Sequence, residues 1–154
     1  MRDFDRPLTD KGRAQSEVLR AWAKDPESLG RYGPCTALVS SSARTRETYA
    51  VGFAGTAFVH ALETSELIYN GQRDVSADDL LAQLAEIDPG TESLVVIAHN
   101  PTVFEVAQAV SDRPIPALAK AKYPLAAALV FRLHDGETVG LTRYEFVESF
   151  VPEV

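Results

Sequence analysis

One short stretch of this 154-residue chain restricts its fold more than any other, residues 93–98 together with the three residues that follow. The stretch reads Ser-Leu-Val-Val-Ile-Ala, and an uninterrupted apolar run of this length predicts a central strand covered on both faces. His99, Asn100 and Pro101 follow at once. Asparagine as an N-cap with proline at the first helical position is typical of a helix start. The stretch therefore predicts a buried strand that turns directly into a helix.

Helices and strands alternate along the rest of the chain. The apolar spacing and the helix start and stop signals predict helices over 9–24, 41–50, 76–87 and 100–110. Short apolar runs predict strands over 36–40, 57–61, 93–98, 126–133 and 138–144, and 63–70 and 112–124 are expected to be loops. This order predicts one α/β domain over residues 1–154, a three-layer sandwich around a mostly parallel sheet that closes with a β-hairpin.

The composition limits the classes of function that the chain can serve. Its 45% hydrophobic and 24% charged residues are typical of a globular protein, and its single cysteine, Cys35, excludes an internal disulfide framework and a multi-cysteine zinc site. No apolar run approaches about 18 residues and the start lacks the apolar core of a signal peptide, so we expect a cytoplasmic protein without a membrane span. The net charge of −7 argues against a nucleic-acid partner.

Polar residues follow two of the predicted strands at their carboxyl ends. In an open α/β sheet, ligands bind at these ends of the strands. Arg44 stands at the start of a predicted helix, where backbone N–H groups and a forked guanidinium both suit a phosphate. His99 follows the buried strand and is placed to donate a hydrogen bond or hold a positive charge in the same crevice. The two together predict an oxyanion or phosphate site.

Other interpretations of these two residues stay open at this point. Arg44 could be a solvated helix arginine paired with Glu47 or Glu105, and His99 could simply be satisfied at its helix start. We expect His60 and His134 to be structural or surface residues.

Two other candidate nucleophiles are disfavoured by their surroundings. Residues 40–42 are three serines, but they lack the flanking glycines of a nucleophile elbow. Cys35 has no basic residues around it, so we expect a buried thiol rather than a nucleophile.

Four segments in a fixed order resemble the histidine phosphatase superfamily, and its SixA-like phosphohistidine phosphatase branch most closely. They are Arg-Pro-Leu-Thr-x-x-Gly-Arg at 6–13, Val-Ser-Ser-Ser-Ala-Arg-Thr-x-Glu-Thr at 39–48, Glu-Leu-x-Tyr at 66–69 and Val-Val-Ile-Ala-His-Asn-Pro at 95–101. The resemblance covers nearly the whole chain. It implies a phosphatase acting on a phosphorylated protein or a small phosphate ester, with two histidines and two arginines in its pocket and no metal or cofactor.

The resemblance also implies roles for individual residues. Arg44 matches the second phosphate-holding arginine, and His99 matches the second histidine, which stabilises the transferring phosphoryl group. Ser41 and Asn100 lie beside them and are expected to bind the phosphate. Glu66 is the candidate general acid, a role that requires burial to raise its pKa, and a solvated loop carboxylate is the alternative.

The sequence departs from the family in one respect. The family opens with a strand that ends in Arg-His-Gly or Arg-His-Ala, and this sequence contains no such motif. The nucleophilic histidine, the first arginine and the first central strand therefore have no counterpart, and we expect little or no phosphatase activity from the chain as given. Three explanations stay open: an omitted N-terminal stretch, a degenerate member that only binds phosphorylated groups or docks to a partner, or strand exchange in a dimer.

Overall fold

Helices and strands alternate in the structure as the sequence predicts. The computed structural model describes residues 3–65, 69–70, 73–74, 76–88, 90–99, 102–115, 126–133 and 144–153. The helices are α1 (Asp10–Lys24), α2 (Ala43–Gly52), α3 (Ala77–Ala85) and α4 (Thr102–Val110). The strands are β1 (Cys35–Ser40), β2 (Val59–Ser65), β3 (Tyr69–Asn70), β4 (Arg73–Asp74), β5 (Leu94–Ile97), β6 (Ala128–Arg132) and β7 (Glu145–Phe150).

A three-stranded parallel sheet forms the centre of the domain. Its order is β2-β1-β5, with Val39 of β1 in register with Ile97 of β5 and with Thr64 of β2. Val39 is only 1% exposed, as expected for a strand paired on both edges. The carboxyl ends of the three strands therefore lie side by side. Ser40 and the residues after β5 lie together at this end of the sheet.

The position of β5 corrects one prediction. Among the described residues β5 pairs only with β1, so it lies at the edge of this sheet rather than at its centre, and its side chains are partly exposed. Both faces of β5 nevertheless carry apolar contacts, since Val95 and Ile97 pack on one core cluster and Leu94 and Val96 on another. An apolar run indicates that both faces of a strand are covered by other parts of the protein. It does not indicate whether the strand has a neighbouring strand along each of its edges.

Helices cover both faces of the sheet, which confirms the predicted three layers. On one face α1, α2 and the segments beside them form the larger cluster, whose buried members are Leu19, Ala23, Leu29, Cys35, Phe53 and Phe58. On the other face Leu38 of β1 packs against Leu80 and Leu84 of α3. None of the helices in the described residues is both long enough and apolar enough to cross a membrane.

The first helix begins where predicted but buries a different face. The Thr9 hydroxyl accepts the Gly12 N–H at 3.1 Å, which caps α1. Ser16 is fully buried, and a Cβ on Gly52 of α2 would lie 3.3 Å from the Ser16 carbonyl oxygen. Two helices in such close contact need small residues there, and the larger Trp22 packs against the ring of Phe150, with the centroids 5.5 Å apart. The buried residues are accordingly Gln15, Ser16, Leu19 and Ala23, whereas the helical spacing of the apolar residues in the sequence predicts a face of Ala14, Val18, Leu19 and Trp22.

The second strand of the sheet is longer than predicted. We predicted a strand over 57–61 and a loop over 63–70, whereas β2 continues to Ser65 and β3 pairs with β4. Most of β2 is exposed. In the described residues it pairs only with β1 and so lies at an edge of the sheet, where polar residues are tolerated.

The terminal hairpin is present, but its second strand lies later than predicted. β6 pairs antiparallel with β7, which begins at Glu145, whereas the prediction placed this strand over 138–144. Tyr144 instead makes a parallel bridge with Ser111, through Tyr144 N–H to the Val110 carbonyl at 2.6 Å. Residues 134–137, which join the two predicted strands, lie outside the described residues.

Candidate functional site

The carboxyl ends of β1 and β5 bring together the two segments that carry the predicted site. His99 Nε2 lies 3.0 Å from Ser40 Oγ, at the end of β1, and 3.0 Å from Ser42 Oγ, just beyond it. The imidazole is 8% exposed, and both serines are fully buried. The ring of His99 is therefore held against the loop that leads from β1 into α2.

Ser42 begins α2 without capping it in the usual way. Its backbone is extended (φ −65°, ψ 156°) and its carbonyl accepts the Arg46 N–H at 3.0 Å, but its side chain makes no capping hydrogen bond to the helix backbone. The hydroxyl is engaged instead with His99 Nε2 and with Thr45 Oγ1, the latter at 2.8 Å. The Ser42 hydroxyl therefore does not accept a hydrogen bond from the first-turn N–H groups of α2. Another acceptor, such as an anion, can bind at that helix start.

Arg44 is the second residue of this helix, two positions beyond the serine that contacts His99. Its side chain is partly exposed. The Glu47 carboxylate, one turn further, accepts from Arg13 Nη2 at 2.7 Å and from the Leu8 N–H at 3.2 Å. Glu47 therefore joins α2 to the start of α1, and the interpretation in which it pairs with Arg44 is wrong.

The Ser41 side chain is unusual for a buried hydroxyl. Its backbone N–H donates to the Ser65 carbonyl at 3.1 Å, but its Oγ is buried and has no hydrogen-bond partner within the described parts of the chain. Buried hydroxyls nearly always have a partner, and an unpaired one calls for a specific reason. A polar ligand at the start of α2 is such a reason, and the predicted role of Ser41 in phosphate binding stays a prediction.

His99 also takes part in the start of α4. Its backbone carbonyl accepts the Val103 N–H at 2.9 Å, at the start of α4. Its side-chain Nε2 contacts Ser42, which follows the neighbouring strand β1. Two other predicted site residues, Asn100 and Glu66, lie outside the described residues, and so does His134.

His60 is not a member of this site. It is exposed and follows Val59, which pairs with Cys35 at the amino end of β1. His99 follows the carboxyl ends of the same sheet, so the two histidines lie at opposite ends of the strands. The expectation that His60 is a surface residue is confirmed.

Cys35 is a buried thiol, as predicted. It is 3% exposed, its Sγ lies 3.6 Å from the Tyr32 carbonyl oxygen, and burial raises its pKa to about 11. Since the thiolate is the nucleophilic form, the group is inert at neutral pH.

The raised pKa of Cys35 predicts a loss of stability in alkaline solution. From about pH 9, where an ordinary thiol ionises, to about pH 11, the unfolded chain releases this proton and the folded chain keeps it. The free energy of unfolding therefore falls as pH rises through this range, by about 1–2 kcal/mol. Urea unfolding from pH 8 to 10.5 measures the fall, and Cys35→Ala is expected to show a shallower one. Equal pH dependence in both proteins would contradict the prediction.

A groove of about 300 Å³ opens elsewhere, between β2 and α3. Its walls are Leu38, Glu63, Thr64, Ser65, Gln83, Glu86 and Ile87. The lining described by the structure holds two glutamates and no cation, so it does not suit a phosphate. Within the described ranges no three His, Cys, Asp or Glu side chains group as a metal site would require.

The architecture and the strand-end residues together define an α/β domain with the fold of the SixA-like histidine phosphatases. A structure from Agrobacterium tumefaciens assigned as the phosphohistidine phosphatase SixA is 24% identical, with a TM-score of 0.76 over 99% of this chain and 87% of that one. One from Nakamurella multipartitia with the same assignment is 19% identical, with a TM-score of 0.77 over 100% and 89%. The protein histidine phosphatase SixA complexed with tungstate is 20% identical, with a TM-score of 0.72 over 97% and 86%.

These solved structures confirm the predicted fold. No protein-family model matches the sequence, and comparison with curated proteins gives no match.

Sequence analysis missed the partners of His99. The signal was present as the spacing Ser40-Ser41-Ser42-x-x-Thr45, which places three hydroxyl residues at a strand end and a fourth on the first turn of the next helix. From this spacing we predicted only that the serines do not form a nucleophile elbow. The burial of Ser40 and Ser42 agrees with that conclusion, because both hydroxyls are held in hydrogen-bond contact with the His99 ring.

Proposed function

We propose that this chain binds the phosphoryl group of a phosphorylated protein or a small phosphate ester between the start of α2 and His99, in a site of the phosphohistidine phosphatase type. The observation that carries the proposal is the 3.0 Å contact between His99 Nε2 and the hydroxyl of Ser42, the N-cap residue of α2. This contact fixes the imidazole beside the helix end that carries Arg44.

The residues at this point suit a tetrahedral oxyanion. The helix start offers N–H groups and the positive end of its dipole, and a guanidinium holds two phosphate oxygens in a fork. A protonated imidazole adds a second positive charge. Phosphoryl transfer asks mainly for such positioning and for neutralised oxygens, and one SixA structure is a complex with tungstate, itself a tetrahedral oxyanion.

The chemical role that we propose for His99 is stabilisation of the phosphoryl group rather than attack on it. A histidine nucleophile needs a free ring nitrogen aimed at phosphorus, whereas His99 Nε2 faces two buried serine hydroxyls. Fast turnover would need a second histidine, and we propose that the chain as given binds phosphoryl groups and hydrolyses them only slowly.

A second candidate function is a non-catalytic phosphate-binding or partner-docking module. It is favoured by the single histidine in the site as far as the structure describes it. Calorimetry with tungstate and a hydrolysis assay on phosphohistidine peptide and p-nitrophenyl phosphate separate the candidates. Binding with turnover supports a phosphatase, binding without turnover supports the module, and no binding contradicts both.

Ser41→Ala tests the binding half of the proposal. Removal of a buried, unpartnered hydroxyl is expected to leave the free energy of unfolding unchanged or to raise it by up to about 1 kcal/mol. Affinity for tungstate is expected to fall about threefold to tenfold, because a hydrogen bond to the anion is lost. Ser28→Ala is the matched control, since Ser28 precedes the turn at Leu29–Tyr32 without a side-chain capping bond. Unchanged affinity in Ser41→Ala would show that Ser41 does not bind the anion.

A further inference from the structure

The groove between β2 and α3 combines an apolar interior with two acidic walls. Leu38 is 5% exposed, the most buried of the lining residues, and Ile87 adds further apolar surface. Glu63 of β2 and Glu86, which directly follows α3, line the same groove and are exposed. Lysine and arginine side chains have an apolar stem and a charged head, so they suit a lining of this kind.

Neither of these two carboxylates is neutralised within the described parts of the chain. Three other glutamates, Glu47, Glu145 and Glu148, each form an ion pair with an arginine. Glu63 and Glu86 form none with the residues that the structure describes, so both are available to a cation from another molecule. The groove volume of about 300 Å³ is at the lower end of the range of ligand pockets, which suits one long side chain.

The groove adjoins the proposed phosphoryl site. Ser65 lines the groove, and its backbone carbonyl accepts the Ser41 N–H at 3.1 Å. Ser41 follows β1 and directly precedes Ser42, the N-cap residue of α2, where we propose that the phosphoryl group binds. Because paired strands lie about 4.7–4.9 Å apart, a ligand at the start of α2 has the groove one strand away.

We infer that the groove holds a lysine or arginine side chain of the phosphorylated protein while its phosphoryl group lies at the start of α2. Glu63 precedes Ser65 by two residues on β2, about 7 Å along the strand. An extended peptide covers about 3.3 Å per residue, so the basic residue is expected within about three residues of the phosphorylated one. It also reduces the repulsion between an anionic substrate and a chain of net charge −7. The inference rests on the proposed function and favours a protein substrate over a small phosphate ester.

Synthetic peptides test the groove by calorimetry on the full chain. Each peptide carries one stable phosphohistidine analogue in an otherwise uncharged sequence. A single lysine, or a glutamine in the matched peptide, is placed at each position from four residues before the analogue to four after it. At one or more positions within three residues, we expect the lysine peptide to bind about threefold to tenfold more tightly than its glutamine partner, the effect of one or two exposed ion pairs. Equal affinities at every position would overturn the inference.

Glu63→Gln/Glu86→Gln separates the groove from the overall charge. This double variant is expected to bind the lysine and glutamine peptides within about twofold of each other. Its affinity for tungstate, which has no side chain to place in the groove, is expected to stay within about twofold of the wild-type value. The matched control is Glu17→Gln/Glu27→Gln, which removes the same two charges from exposed positions on α1 and just after it. A lysine preference lost equally in both double variants would overturn the inference, because net charge alone would then explain it.

Reversal of the two charges gives a second test. Glu63→Lys/Glu86→Lys is expected to bind a glutamate peptide more tightly than the lysine peptide, and a retained lysine preference would overturn the inference. Titration of the wild type with tungstate separates the inference from the proposed function. Tungstate binding without any lysine preference contradicts the role of the groove alone. Absence of tungstate binding contradicts the proposed function, and the inference falls with it.

Discussion

Arg44→Ala is expected to weaken the binding of tungstate by about tenfold to a hundredfold. A charged hydrogen-bonding group at an anion site contributes about 1.5–3 kcal/mol, and a guanidinium binds through two parallel hydrogen bonds. Because Arg44 lies partly exposed on the first turn of α2, its loss leaves the helix and the buried Ser42–His99 contact in place. Stability is expected to change by less than about 1 kcal/mol.

Arg46 provides the matched control for Arg44. It lies on the same helix two positions further, is exposed, and carries the same charge, so Arg46→Ala removes the same amount of net charge from the protein. Tungstate affinity is expected to stay within about twofold of the wild-type value, since exposed charges are screened by salt. Isothermal titration calorimetry at constant ionic strength measures both variants. Equal losses of affinity in Arg44→Ala and Arg46→Ala would mean that the anion senses overall charge and that Arg44 does not hold it.

His99→Ala is expected to lower both stability and tungstate affinity. The substitution removes the partner of the buried Ser40 and Ser42 hydroxyls, at a cost of about 1–3 kcal/mol in the free energy of unfolding. It also removes a ring that can donate a hydrogen bond to the anion and can carry a positive charge, so affinity is expected to fall about tenfold or more.

Two variants separate these effects of His99. His99→Gln retains an N–H group that can donate to the serines but cannot become a cation, so it is expected to recover part of the stability and little of the affinity. His60→Ala, at the opposite end of the sheet, is expected to change neither. Urea unfolding and calorimetry measure the two quantities, and wild-type affinity in His99→Ala would contradict a role for the imidazole in binding.

The sequence predicted those parts of the fold that depend on local chemistry. Helices α1 and α3 begin where predicted, each capped by a hydroxyl, Thr9 or Ser76, because a hydroxyl that accepts a first-turn N–H is a property of a few adjacent residues. The edge position of β5 and the late start of β7 at Glu145 were not predicted. Both depend on which strands meet, and apolar periodicity describes only the faces of a strand.

The candidate site shows the same division. The sequence predicted that the segments carrying Arg44 and His99 lie at one edge of the sheet, because parallel strands place their carboxyl ends together. The contacts of His99 with Ser40 and Ser42 were not found, because they depend on how two loops distant in sequence meet. The unpaired hydroxyl of Ser41 likewise becomes visible only when its neighbours in space are known.

The proposed site is tested most directly by a crystal structure of this chain soaked with tungstate, whose heavy atom marks its own position. We expect one tungstate at the start of α2, with its oxygens within hydrogen-bond distance of the Arg44 guanidinium and of the His99 ring. A tungstate bound elsewhere, or a site still without the anion at saturating concentration, would contradict it.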